Sequence, residues 1–226
     1  VVKSDLDWRT SGGPLVFNSI YTSEHYDARL EQPGWSSPGF DDSAWGGVMY
    51  RGAPSQRVTA QQTVPIRNVT EYRPRSVRKL DERSYLYDFG QNMAGVTKLR
   101  LRGEAGTQLR LIHAERLRED GHADLSNIDV YFRPTDKDDL FQTDVVTLSG
   151  RDDEFMPRFN YKGFRYVEVV ADRPVELSAE NLTAYAMHSD VTPVGHIETS
   201  NDLVDKLWDA TNKAYLSNLM GYPTDC

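Results

Sequence analysis

Residues 95–103, GVTKLRLRG, alternate between apolar and basic side chains. The apolar residues are Val96, Leu99 and Leu101, and the basic residues are Lys98, Arg100 and Arg102. Such a pattern is typical of a strand with one dry and one wet face. GEAGT, residues 103–107, has the composition of a turn, and QLRLIHAERL, residues 108–117, continues as a second strand. This pattern predicts an antiparallel hairpin.

A second hairpin is predicted further along the chain. LFQTDVVTLSG, residues 140–150, is followed by the charged turn RDDE and then by FMPRFNYKGFRYVEVVA, residues 155–171. The end of this last segment is apolar on both faces, which is typical of a strand inside a sandwich. Between Val64 and Tyr185 the spacing of strands and turns predicts an antiparallel β-sandwich of about 120 residues.

The two ends of the chain follow different patterns. Gly, Pro, Ser and Asp crowd residues 8–53, which favours short strands joined by tight turns, and the polar residues 53–62 resemble a linker. Near the C-terminus, apolar residues recur every three or four positions and predict a helix from Ser200 to Leu219. Ser200 is its predicted cap, Gly221 ends it, and Pro223 prevents its restart.

Composition limits the classes of partner. The 226 residues carry a formal net charge of -8, which argues against a nucleic-acid partner because phosphate binding needs a surplus of Lys and Arg. No stretch has the roughly 20 apolar residues of a membrane span. The N-terminus lacks a signal-peptide core, but the chain begins without Met, so an upstream targeting segment could have been removed.

Few patterns suggest metal or cofactor chemistry. The five histidines have no metal-ligand spacing, and Cys226 is the single cysteine; we therefore predict no metal site and no cofactor. Asp136, Asp138 and Asp139 lack the glycine and distal glutamate of a calcium loop, and we interpret them as a solvated turn.

Two further groups leave a carbohydrate interpretation open. Asp41 and Asp42 are acidic neighbours, but glycoside hydrolysis needs facing carboxyl groups about 5–9.5 Å apart, so a turn in which they bond their own backbone is favoured. Trp8, Trp35 and Trp45 could stack on sugar rings, although tryptophans in β-rich domains belong more often to the core.

Six segments, in this order and spacing, resemble bacterial α-L-rhamnosidases of glycoside hydrolase family 78. They are IYTSEHYDARLEQPGW (20–35), GFDDSAW (39–45), YDFGQNMAGVTKLRLRGEAGTQLRLIHAERLREDG (87–121), PRFNYKGFRYVEV (157–169), AMHSD (186–190) and PTDC (223–226). The resemblance implies a mainly β fold in three parts. Residues 1–56 would be the C-terminal part of a jelly-roll domain, 57–192 a concanavalin-like β-sandwich, and 193–226 the start of an (α/α)6 catalytic barrel.

The resemblance also implies an activity. Family rhamnosidases hydrolyse terminal α-L-rhamnosides with inversion, using a general acid and a general base at positions that this chain does not contain. The one site residue that carries over is Asp225, which would bind the rhamnose hydroxyls as a charged acceptor. This chain would then be an accessory fragment, inactive alone and packed on its own catalytic barrel. The alternative is a free-standing carbohydrate-binding module.

The implied partners are rhamnose-containing oligosaccharides, polysaccharides or glycosides, and a periplasmic or secreted location is favoured over a cytoplasmic one. Three positions differ from the family pattern. Ser23 stands where Gly is common, Lys162 where His is frequent, and Tyr222 where a smaller aliphatic residue is usual. The first two are expected to lie away from the sugar site, whereas Tyr222 could alter which aglycone is accepted.

Overall fold

The computed structural model describes residues 4–53, 55, 57–132 and 139–224. In the described N-terminal part the backbone forms short strands and one 3₁₀ turn: β1 Arg9–Thr10, β2 Leu15–Asn18, β3 Glu24–Asp27, the turn Ala28–Leu30, and β4 Gly46–Gly47. Residues 57–65 contain no regular element, in agreement with the predicted linker.

The central part is almost entirely strand. Its elements are β5 Ile66–Tyr72, β6 Ser76–Lys79, β7 Ser84–Arg102, β8 Gln108–Ala114, β9 Arg116–Leu117, β10 Ala123–Asp124, the 3₁₀ turn Asp129–Tyr131, β11 Thr143–Thr147, β12 Asp152–Phe155, β13 Lys162–Ala171 and β14 Leu182–Ser189. The main sheet has ten strands in the order β2-β3-β11-β8-β13-β7-β14-β5, with β6 and β12 also on β7. All its pairs are antiparallel except β3 with β11.

The long strand β7 belongs to both layers of this curled sheet. Its first residues lie between β6 and β13, and its last residues lie between β14 and β12. Gly95 marks the change, because it pairs with Lys162 of β13 and with Ala186 of β14. A Cβ at Gly95 would lie 1.9 Å from the carbonyl oxygen of Tyr185, so a side chain cannot fit where the two layers meet.

The core fills the space between the two layers. The first half of β7, β8 and β13 contribute to it from one layer, and the second half of β7, β12 and β14 from the other. The largest fully buried apolar side chains are Tyr87, Phe164, Leu99, Leu109, Leu111, Leu148, Leu182, Val146, Val167 and Val169. Burying each such side chain stabilises the fold by about 1.5–3 kcal/mol. The predicted antiparallel β-sandwich is confirmed.

Both hairpin predictions are wrong about which strands pair with each other. β7 and β8 do not pair with each other, because β13 lies between them, and β8 lies between β11 and β13. The predicted turn RDDE forms most of strand β12, which pairs with the end of β7. Alternation identifies a strand and its dry face, but pairing depends on contacts distant in sequence, and the doubly apolar β13 takes the central position.

The C-terminal part consists of helix α1, Asp202–Ser217, and the short strands β15, Leu219–Met220, and β16, Tyr222–Pro223. The helix prediction is confirmed, but its cap is Asn201, whose side chain accepts from the backbone N–H of Leu203, and not Ser200. The helix ends before Gly221, which instead has φ +86° in the turn between β15 and β16. Asn and Ser are equally good caps, so preference alone does not fix the first turn.

His113 on β8 lies in the core and should make stability depend on pH. Its Nδ1 is 3.2 Å from the carbonyl oxygen of Gln142, and its Nε2 is 2.9 Å from the Thr97 hydroxyl. A carbonyl only accepts, so Nδ1 carries the proton and Nε2 accepts from Thr97. Burial, followed by the positive charge of Lys162, lowers the pKa of His113 from 6.5 to about 4.

Because the folded-state pKa is depressed, the neutral form stabilises the fold above pH 6.5, and this contribution is lost as pH falls towards about 4. We expect the free energy of unfolding to fall as the pH is lowered through this window. The change of this free energy with pH should be smaller in His113→Gln. Urea titrations at several pH values measure both slopes. His196→Gln, at an exposed position, is the control; an equal slope in wild type and His113→Gln would contradict the prediction.

Candidate functional site

The predicted sugar-binding residue, Asp225, lies outside the described residues, as does Cys226. The chain that leads to it is described up to Thr224. The hairpin of β15 and β16, with its contacts on the sandwich, is therefore the described part of the chain next to Asp225.

Hydrogen bonds hold this hairpin at its turn and at its open end. The backbone N–H of Gly221 donates to Oγ of Ser189, the last residue of β14, at 2.8 Å. Thr224 donates twice to the carbonyl oxygen of Asn218, from its backbone N–H at 2.7 Å and from its hydroxyl at 2.9 Å. Leu219 and Met220 are buried, so the β15 side of the hairpin packs inward.

Tyr222, on the opposite strand of the hairpin, has a side chain that is 73% exposed. It lies two residues before Thr224 on β16. Its influence on the choice of aglycone stays a prediction.

Helix α1 leaves its apolar stripe in solvent. Leu203, Leu207 and Tyr215 are each more than half exposed, and Val204 is 44% exposed. The helix touches β7, β14 and β15, and Trp208 makes an edge contact with His196 at 5.2 Å between ring centroids. None of its described side chains is fully buried.

A second candidate site is a cleft of about 730 Å³ between the N-terminal segment and β12. Trp35 and Trp45 both line it, together with Arg9, Arg158 and several carboxylates. The Trp45 indole N–H donates to Gln32 at 2.8 Å, which fixes that ring in the wall. The expectation that the tryptophans belong to the core is wrong for Trp35, which is 59% exposed, and for Trp8, which is 49% exposed.

The turn predicted for the neighbouring acids, in which each would bond its own backbone, forms at Asp41. The Asp41 carboxylate accepts from the backbone N–H of Ser43 at 3.0 Å. Hydrogen bonds from Ser43 lower the pKa of the Asp41 carboxyl. Asp42 is 4.0 Å from the Arg9 guanidinium.

A buried ionic cluster joins β3 to the sandwich, and sequence reasoning missed it. Lys162 donates to Asp144 at 2.7 Å and to Asn160 at 2.5 Å, and Asp144 also accepts from the backbone N–H of Glu24 at 2.9 Å. The side chains of Lys162 and Asp144 are 2% and 0% exposed. The acid, base and amide at Asp144, Lys162 and Asn160 were visible in sequence, but nothing local indicates that they meet.

Glu24 extends this cluster. Its carboxylate accepts from the backbone N–H groups of Arg158 at 2.8 Å and Phe159 at 2.6 Å. Burial raises the pKa of Glu24, and these two hydrogen bonds partly oppose the rise. The neighbouring Ser23 is also fully buried, and its hydroxyl lies 3.3 Å from Nε2 of His25.

The acidic group predicted as a solvated turn is only partly described. Asp136 and Asp138 lie outside the described residues. Asp139 is 4% exposed and accepts from the Thr22 hydroxyl, so for this residue the solvated interpretation is wrong. Within the described ranges no three His, Cys, Asp or Glu side chains are grouped to hold a metal ion. No helix in those ranges is long and apolar enough to cross a bilayer.

Three family models match the chain in sequence order. The α-L-rhamnosidase N-terminal domain matches residues 1–70, the bacterial α-L-rhamnosidase concanavalin-like domain residues 78–188, and the six-hairpin glycosidase domain of the same enzymes residues 192–226. The chain belongs to the bacterial α-L-rhamnosidase family.

Individual α-L-rhamnosidases are similar to this chain over nearly its whole length. The α-L-rhamnosidase of Streptomyces avermitilis is 37% identical over 99% of the chain, and that of Formosa agariphila is 32% identical over 99%. The crystal structure of the Streptomyces avermitilis enzyme complexed with L-rhamnose aligns over 99% of the chain with a TM-score of 0.87. The rhamnosidase of Aspergillus terreus aligns over 100% with a TM-score of 0.85 and 34% identity.

The aligned region is a small part of each rhamnosidase. The chain spans 21% of the Streptomyces avermitilis protein and 23% of the Formosa agariphila protein. It spans 25% of the Aspergillus terreus structure. The chain therefore spans about a quarter of the length of each of these relatives.

Proposed function

We propose that the whole protein is an α-L-rhamnosidase that hydrolyses terminal α-L-rhamnosides with inversion of configuration. The observation that carries this proposal is the ordered match of three rhamnosidase domain models to residues 1–70, 78–188 and 192–226. Identity of 37% to a rhamnosidase over 99% of the chain supports it.

In this proposal Asp225 binds the sugar. A carboxylate accepts hydrogen bonds from two neighbouring hydroxyls more strongly than a neutral acceptor does. The general acid protonates the leaving oxygen and the general base activates water from the opposite face of the ring. Both of these residues belong to the part of the protein that follows residue 226.

The described residues before residue 193 then serve as the accessory β region on which the catalytic domain rests. The solvent-exposed stripe of α1, which includes Leu203 and Leu207, would pack on further helices of that domain. Covering such large apolar side chains is favourable at roughly 25 cal/mol per Å² of apolar surface.

The test compares the full-length protein with the 226-residue chain. We expect the full-length protein to release rhamnose from an aryl α-L-rhamnoside and Asp225→Asn to lose most of that activity. The 226-residue chain should release none. Absence of rhamnose release by the full-length protein, on aryl rhamnosides and on rhamnose-containing polysaccharide, would refute the proposal.

A second candidate function is non-catalytic saccharide binding in the cleft beside Trp35. It is favoured by one observation, which is that two indoles and two guanidinium groups line the same cleft. Exposed indole faces stack on the apolar faces of sugar rings. The Asp225→Asn variant of the full-length protein lacks the proposed catalytic sugar site. Saccharide binding that this variant retains can then be attributed to the cleft.

For this second candidate, calorimetric titration with rhamnose and with rhamnose-containing oligosaccharide should give binding heat that Trp35→Ala abolishes. Trp8→Ala is the matched control, since Trp8 is exposed to a similar degree but does not line the cleft. No heat at millimolar sugar would eliminate the cleft as a saccharide site.

A further inference from the structure

The cleft beside Trp35 contains an arginine whose charge no other side chain neutralises. Arg158 lines the cleft and is exposed, and within the described residues its guanidinium group forms no hydrogen bond or ion pair. Arg9, the other arginine of the cleft, donates instead to the backbone carbonyl oxygens of Asp42 and Ser43 at 3.2 and 3.3 Å. The Arg158 guanidinium is therefore available to a ligand.

The carboxylates of the cleft are engaged by other groups of the protein. Each of them accepts hydrogen bonds: Glu24 from two backbone N–H groups, Glu31 from the Tyr26 hydroxyl, and Glu154 from Lys98 and Arg100. Among the described residues, none of these carboxylates forms an ion pair with Arg158. The guanidinium still lies close to the Tyr26 phenol, because its positive charge opposes the rise in the pKa of Tyr26 that burial and Glu31 cause.

The backbone that carries Arg158 is held in place by the interior. The backbone N–H groups of Arg158 and Phe159 donate to the buried Glu24 carboxylate at 2.8 and 2.6 Å. The following residue, Asn160, accepts from Lys162 of the buried ionic cluster at 2.5 Å. A binding segment that is ordered in advance loses less conformational entropy when a ligand binds.

Two exposed aromatic rings reach the same cleft from different parts of the chain. Trp35 belongs to the N-terminal part and is 59% exposed, whereas Phe159 follows β12 and is 56% exposed. Aromatic faces of this kind pack on the apolar faces of sugar rings. The volume of about 730 Å³ falls within the roughly 300–1,000 Å³ of small-molecule sites.

We propose that this cleft binds an acidic saccharide and that Arg158 pairs with the carboxylate of a uronic acid residue in it. The inference rests on the second candidate function, saccharide binding beside Trp35, and adds the chemical class of the ligand. A guanidinium group matches a carboxylate through two parallel hydrogen bonds. Rhamnose has no carboxylate, so the sugar that Arg158 binds is a different residue of the glycan.

Calorimetric titration of the full-length protein with trigalacturonate, a uronic acid oligomer without rhamnose, tests the inference. Its fully methyl-esterified form is the matched neutral ligand, because the two differ only at the carboxyl groups. We expect trigalacturonate to bind roughly tenfold more tightly or better, as one hydrogen bond between charged groups provides. Inorganic sulfate, compared at equal ionic strength with sodium chloride, should not displace it, because sulfate has no ring to pack on Trp35.

Substitutions at Arg158 separate the charge from the rest of the cleft. Arg158→Met should raise the Kd for trigalacturonate by roughly tenfold or more and change the Kd for the methyl ester less. Arg158→Lys, which retains the charge but not the paired N–H groups, should recover part of the affinity. Trp35→Ala should weaken both ligands, since packing on the indole does not depend on charge.

Arg110→Met is the matched control, because Arg110 is exposed but does not line the cleft. It should leave both Kd values unchanged, and the melting temperature of each variant shows whether it folds. The comparison of trigalacturonate with its methyl ester uses the wild-type protein, so it decides the question even if Arg158→Met does not fold.

The inference is overturned if trigalacturonate does not bind, if its methyl ester binds equally well, or if sulfate displaces it. An unchanged Kd in Arg158→Met, or an equal loss in Arg110→Met, would overturn it as well. Binding of rhamnose-containing oligosaccharide that depends on Trp35 would then leave the second candidate function intact without the acidic class. Rhamnose release from an aryl α-L-rhamnoside by the same protein tests the rhamnosidase proposal separately.

Discussion

Gly95→Ala is expected to destabilise the chain by at least about 3 kcal/mol, the upper end of the usual cost of inserting atoms into a packed interior. The new methyl carbon would lie 1.9 Å from the Tyr185 carbonyl oxygen and 3.2 Å from Cα of Ala186. Both obstacles belong to the backbone of β14, so no side-chain rotation relieves the clash. Relief requires β14 to move away from β7 where β7 passes between the two layers.

Urea unfolding of the 226-residue chain, followed by far-ultraviolet circular dichroism, measures this effect. Gly12→Ala is the matched control, because a Cβ there meets nothing within 4 Å. Its free energy of unfolding should stay within about 0.5 kcal/mol of wild type, as for most surface changes. Equal effects of the two substitutions would show that the close approach of β14 to Gly95 is not a constraint.

Lys162→Met should cost about 3–5 kcal/mol, the range for breaking a buried ion pair from one side. Asp144 is fully buried and its second carboxylate oxygen has no hydrogen-bond partner in the described structure. Without Lys162 the charge on Asp144 has lost its closest cation, at 2.7 Å. Asn160 loses its hydrogen bond from Lys162 as well.

A double variant separates the stability lost with the ion pair from the cost of leaving the buried Asp144 charge unpaired. Asp144→Asn removes the charge yet retains an acceptor for the Glu24 N–H, so Lys162→Met with Asp144→Asn should be more stable than Lys162→Met alone. Lys213→Met, which breaks the exposed pair with Asp209, should change stability by less than about 0.5 kcal/mol. A double variant as unstable as the sum of its parts would contradict this account.

The sequence contained the signals for the main elements. Leu99 and Leu101 alternate with basic residues, and both proved to be buried on β7. The helical repeat near the C-terminus correctly predicted α1, within two residues at each end. These features follow from local chemistry, because strand and helix periods place a side chain on one face whatever the partner is. The assignment of Asp225 came from resemblance and stays a prediction.

The tertiary structure decided which elements meet. No local signal in β7 or β8 indicates that β13 will insert between them, because pairing depends on the packing of residues far apart in sequence. The same holds for Lys162 with Asp144, for the cleft that exposes Trp35, and for Ser189 with Gly221, which are separated by 32 positions. The sequence by itself determined the faces of the elements and the family, through patterns carried by short segments. Which strands and side chains contact each other was decided only by the folded chain. A contact between residues distant in sequence forms only after the intervening chain has closed and packed.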